Sequence, residues 1–202
     1  MSNGFLFWYE RDWSPQRAAH RITALETAGL LLAHPQTGRI SAISSEDDTL
    51  GEQIGIDRTT LLQRAAVDAD ASLSFQYWIG VDIDVLCTIE RLAPDAVVQR
   101  FYLDGLTVEQ QQFVINTVFD QIYLSPSSTC GLVIDRTGGS DTVDWDAVVT
   151  GTAGPIPVRA NVVGIPTSIA ATHPELRHEP SAHVGDLVVY DPDRLLPAGP
   201  SP

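Results

Sequence analysis

From Phe75 to Leu92 the odd positions read Phe75, Tyr77, Ile79, Val81, Ile83, Val85, Cys87 and Ile89, while Gln76, Asp82, Asp84, Thr88 and Glu90 stand between them. Successive side chains of a strand point to opposite faces, so this alternation predicts a long β-segment with one face in a core. Gly80 and Asp82 allow either one bent strand or two strands joined at a bulge. A tight hairpin is disfavoured, because no Asn-Gly or Asp-Gly pair interrupts the run.

The rest of the pattern surrounds this unit. Phe5–Tyr9 reads as a first strand. Ser14-Pro15 supplies an N-cap and a first-turn proline for a helix that ends near Gly29. Leu30–Ala33 and Ile40–Ile43 are short strands about a turn, Ser44–Ile56 is a polar loop, and Asp57 caps a helix through Val67. Val97–Leu103 is the next strand. Thr107 with Gln110 forms a capping box ahead of an amphipathic helix reaching Ile122. Cys130–Asp135, Val158–Val163 and Leu187–Tyr190 are further strands, and Val143–Val149 is a short helix.

Strands in succession with interposed amphipathic helices predict an α+β fold. Its sheet is antiparallel, with a mixed sheet as the alternative, and helices pack on one face. One domain is expected over residues 1–190, with a β-α subregion at 1–70 and a central sheet-helix unit at 71–150. Four prolines from Pro192 onward mark 191–202 as a flexible tail.

At 202 residues and 44% hydrophobic content the chain can bury a core without metals or disulfides. The formal net charge of −14 argues against nucleic acid and anionic membranes as partners and favours basic ones. All twelve basic residues are arginine, a usage that fits a GC-rich bacterial genome. Without lysine, Schiff-base chemistry, a pyridoxal-phosphate anchor and a Walker A lysine are all excluded. Cys87 and Cys130 are too few for a disulfide framework, and no apolar run approaches membrane-spanning length. A cytoplasmic location is the expectation, and no cofactor is implied.

Candidate chemistry is sparse. His173, His178 and His183 lie beside Glu175, Glu179 and Asp186 and are metal-ligand candidates, although Pro180 and the five-residue spacing depart from His-Glu-x-x-His. Asp82 and Asp84, two apart in a strand, are expected on one face. Leu132–Ser140 carries a strand into a glycine loop, which could cradle phosphate or simply turn. Trp78 stands on the otherwise polar face in line with Asp82, Asp84 and Glu90, as an interface anchor would, unless a helix or loop covers it.

Together these features predict a non-enzymatic acidic binding protein, an immunity- or antitoxin-type inhibitor of a basic toxin enzyme, with Trp78, Asp82, Asp84 and Glu90 as contacts. The alternatives are a metal-dependent enzyme using the 173–186 cluster, or an oligomeric scaffold protein.

Overall fold

The structure, a computed structural model, describes residues 4–45, 49–67 and 71–191. Its strands are β1 (Phe5–Arg11), β2 (Ile40–Ile43), β3 (Gln53–Ile56), β4 (Ser72–Gly80), β5 (Ile83–Ala93), β6 (Ala96–Tyr102), β7 (Thr129–Asp135), β8 (Val162–Pro166), β9 (Ser181–Val184) and β10 (Leu187–Tyr190). They form one sheet in the order β3-β2-β4-β5-β6-β1-β7-β8-β10-β9. Every pairing between neighbours is antiparallel.

The helices are α1 (Pro15–Thr27), α2 (Arg58–Arg64), α3 (Val108–Leu124), α4 (Trp145–Thr150) and α5 (Thr167–Ala170). The three longest share one face of the sheet, as the sequence predicts. Their residues Ile22, Leu25, Leu61, Val114 and Val118 bury Leu6, Trp8, Phe75, Tyr77, Val85, Cys87 and Phe101. Short polar contacts start them where expected. The Ser14 side chain accepts from the Arg17 amide, Asp57 from that of Thr60, and Thr107 and Gln110 complete the capping box.

A second, smaller core lies on the opposite face. There Trp145, Val148 and Val149 of α4 meet Phe5, Tyr9, Val133 and Ile165. The approach is close: a Cβ on Gly131 would stand 2.4 Å from a Val149 methyl and 3.0 Å from the Tyr9 ring. Because β1 is covered on both sides, Phe5–Tyr9 reads as an unbroken apolar run instead of alternating.

The long alternating segment is corrected by the structure. It is a hairpin, β4 and β5, turning at Val81-Asp82. Pairs from Ser72↔Glu90 to Trp78↔Asp84 keep one register; then Gly80 pairs with Ile83, with Ile79 left as a bulge. A two-residue turn alone would exchange odd for even positions across the hairpin. The bulge restores the parity, so alternation continues through a reversal of the chain. Other corrections are smaller. The polar loop 44–56 ends in an edge strand, β3. Leu30–Ala33 contributes only the bridges Leu31↔Trp78 and Ala33↔Ile40. The strand expected at Val158–Val163 begins at Val162, and β9 had no expectation at all. The proposed tail lies outside the described residues beyond Asp191. No described helix is long and apolar enough to cross a membrane.

Among the described residues the main core contains one ion pair. Glu10 and Arg21, 0% and 2% exposed, meet at 2.6 Å, and the Arg21 guanidinium stacks 4.4 Å from the Trp8 ring. Gln99 donates to the same carboxylate at 2.6 Å and Ser128 at 3.3 Å. Burial holds the Glu10 pKa above its ordinary value, and Arg21 offsets only part of that rise. Removing one partner leaves the other charge stranded, whereas an apolar replacement of both does not. Arg21→Ala should lower the unfolding free energy by about 3–5 kcal/mol in urea titrations. The double variant Glu10→Leu/Arg21→Met should recover more than half of that loss; equal damage from both would show that the pairing is not what matters.

Candidate functional site

The second face is only half covered. Helix α4 and the segments around it close it over β1, β7, β8 and β10. On β4 and β5 the corresponding residues Ser74, Gln76, Trp78, Asp84, Leu86, Thr88 and Glu90 all remain partly accessible, while their neighbours Phe75, Tyr77, Val85 and Cys87 are buried. The uncovered half is laced by side-chain hydrogen bonds. Gln53 donates to Gln76 and Gln76 donates to Asp84 at 2.7 Å; Ser74 and Thr88 meet at 2.9 Å. Since a carboxylate only accepts, Asp84 sets the direction of the glutamine chain.

Of the four expected contact residues, Trp78, Asp84 and Glu90 share this face and Asp82 does not. Asp82 sits exposed in the turn, so the expectation that it lies two residues from Asp84 in one strand and shares its face is corrected by the hairpin. Trp78 pairs directly with Asp84 across the strands. It is half-buried, because the turn after Leu32 brings the His34 ring edge-on to its indole at 4.4 Å. Glu90 is tied to Arg100 at 3.0 Å, and Arg100 also holds Asp146 of α4 at 2.6 Å while lying 4.9 Å over the Phe7 ring. Asp146 accepts a 2.9 Å bond from the Tyr9 hydroxyl, whose pKa is pushed up by burial and then by that carboxylate. The acid and the base of this corner are therefore largely committed to each other. His34, Arg100 and Asp146 carry no motif in the sequence, since their roles arise from strands and turns distant along the chain.

The histidine cluster does not assemble. His173 is buried, its Nδ1 bonded to Glu175 at 2.9 Å, and the same Glu175 oxygen accepts the Ile156 amide. His178 and His183 are exposed, and Glu179 is paired with Arg159. Among the described residues no three His, Cys, Asp or Glu side chains stand together as metal ligands do.

The cysteines are set apart by burial. It pushes the Cys130 thiol up to about 11 and that of Cys87 higher still, so neither is a thiolate near neutral pH. The glycine loop is a turn organised by one carboxylate. Asp135 accepts from the amide and hydroxyl of Thr137, the amide of Gly138, and the amide and hydroxyl of Ser140, all within 3.0 Å. The amides that would have cradled a phosphate are occupied. Burial would raise the Asp135 pKa, but the bonds from Ser140 and Thr137 outweigh it and hold the group below its ordinary value.

A carboxyl depressed in the folded state stabilises above its unfolded pKa, and that contribution disappears as pH falls through the folded value. Unfolding free energy should therefore decline as the pH drops below about 4. In Asp135→Asn, which loses an acceptor for two of the five donors, stability at pH 7 should fall by about 1–3 kcal/mol and the acid decline should flatten. An unchanged acid limb in the variant would contradict this role.

No protein-family model matches the chain, and no curated protein matches it in sequence. Among solved structures it is similar to the Pseudomonas aeruginosa T6SS protein PA0821, with a TM-score of 0.51 and 13% identity. The superposition covers 93% of this chain and 64% of that one, so the chain spans less than two thirds of its structural neighbour. At this identity the likeness is one of fold.

Proposed function

We propose that this protein is a non-catalytic binding module of the secretion-system immunity type, engaging a basic protein partner through the uncovered half of its second sheet face. The observation that carries the reading is that half-face itself: a hydrogen-bonded platform on β4 and β5, with Trp78 and Asp84 side by side, left open where α4 stops. Ordered side chains lose little freedom when a partner docks, and a large aromatic beside a carboxylate suits a cationic surface. The net charge of −14 would accelerate encounter with such a partner. The fold shared with a T6SS protein is compatible with this role.

The test is kinetic. A basic toxin domain encoded beside this protein, purified separately, should bind with an association rate that falls steeply between low and physiological salt. Asp84→Arg should slow association at least tenfold with the melting temperature unchanged, and Trp78→Ala should mainly speed dissociation. Full-strength binding by Asp84→Arg would remove this face from the interface and the reading with it.

A further inference from the structure

Strand β4 changes neighbour partway along its length. Phe75 and Ser74 pair with β2, whereas Trp78 exchanges both backbone hydrogen bonds with Leu31, at 2.7 and 2.9 Å. The turn His34–Arg39 stands at this break. Beneath it opens a pocket of about 360 Å³ lined by His34, Thr37, Arg39, Ser41, Gln53 and Trp78.

Its chemistry runs against that of the chain. The protein has 26 acidic residues to 12 arginines, yet among the described residues none of the six that line the pocket is acidic and Arg39 makes no ion pair. Gly55 of β3 gives that arginine its place. A Cβ there would stand 3.3 Å from a guanidinium nitrogen, so the group lies across bare backbone. His34 is fixed by the backbone of its own turn. Its Nδ1 accepts the amides of Gln36 at 3.1 Å and Thr37 at 3.2 Å, which leaves the proton of the neutral ring on Nε2, as a donor. Backbone bonds of 2.9 Å, from the His34 amide to the Arg39 carbonyl and from the Gly38 amide to that of His34, close the turn. A guanidinium without an ion-pair partner among the described residues and an imidazole N–H donor beside an aromatic wall form a receptor for an anion. One guanidinium matches one negative charge, and in a chain this acidic a doubly charged ligand would meet more repulsion.

We propose that this pocket binds a carboxylate, gripped by the Arg39 guanidinium and the His34 Nε2–H against Trp78. The site goes beyond the protein-binding reading and stands without it. A free small carboxylate and the chain terminus of another protein share the required chemistry. Titrations followed by amide and indole NMR resonances separate them, using acetate, phosphate, chloride at matched ionic strength, and a short neutral peptide with a free or an amidated C-terminus. Acetate and the free-acid peptide should give saturable shifts at the Trp78 indole and the 34–39 amides, weakened about tenfold by Arg39→Gln, an exposed position. Tighter binding of the free-acid peptide than of acetate assigns the site to a chain terminus, and equal binding assigns it to a free carboxylate. No saturable shift with either, an equal response to chloride or to the amidated peptide, tighter binding of phosphate than of acetate, or undiminished binding in Arg39→Gln would each overturn the proposal.

Discussion

A carboxylate in the middle of an apolar layer has to be neutralised from somewhere, and Glu10 is neutralised by a helix laid across its strand. Arg21 can reach it only if α1 packs at one rotation and one height, with Trp8 beneath the guanidinium. Gln99 from β6 and Ser128 from the turn before β7 close the same carboxylate. These are the elements that flank β1 on either side. A single buried group thus ties the central strand, both neighbours and the first helix into one arrangement, at a desolvation cost that an apolar core would not carry. Replacing both members of such a pair by apolar residues can leave stability unharmed, whereas removing one member does not.

That arrangement divides the molecule unevenly. One face of the sheet is closed along most of its width by α1, α2 and α3, while the short α4 and its neighbours suffice only for the part built on β1, β7, β8 and β10. Where the second cover ends, Arg100 stitches the boundary by joining Glu90 of the open side to Asp146 of the closed side. The open side is not left apolar. It is finished with amides, hydroxyls and carboxylates that satisfy one another, which keeps an uncovered sheet face soluble while holding its side chains in place.

Much of this was legible in the sequence because local rules and burial agreed. The caps at Ser14, Asp57 and Thr107 and the identity of Trp78, Asp84 and Glu90 as residues of the polar strand face follow from periodicity and turn chemistry, whereas the apolar pattern of α3 marks only part of its buried face, since Val108 and Phe113 are exposed and Ile115 is buried. The hairpin was not legible, for a specific reason: the bulge at Ile79 cancels the phase change of the turn, so a reversal of direction leaves no trace in the pattern. Asp82 was misplaced by the same cancellation. The sites at His34–Arg39 and Arg100–Asp146 were illegible for another reason. Each depends on which strands become neighbours, and residues such as Arg39 and Gly55 have no relation until β2 and β3 pair. The histidines failed in the opposite sense: closeness along the chain did not become closeness in space.

The position of β1 at the middle of the sheet bears on how the chain reaches this state. It precedes the other nine described strands along the chain, yet its partners are β6, which ends at Tyr102, and β7, which ends at Asp135. The hairpins β2-β3, β4-β5 and β5-β6 can all close through short connections while Phe5–Tyr9 still has both edges and both faces unsatisfied. Closing the centre of the sheet therefore depends on non-local contacts, whose loop-closure entropy is costly. During biosynthesis the aromatic stretch Phe5–Tyr9 cannot be covered on both edges until residues as far on as Asp135 have been made.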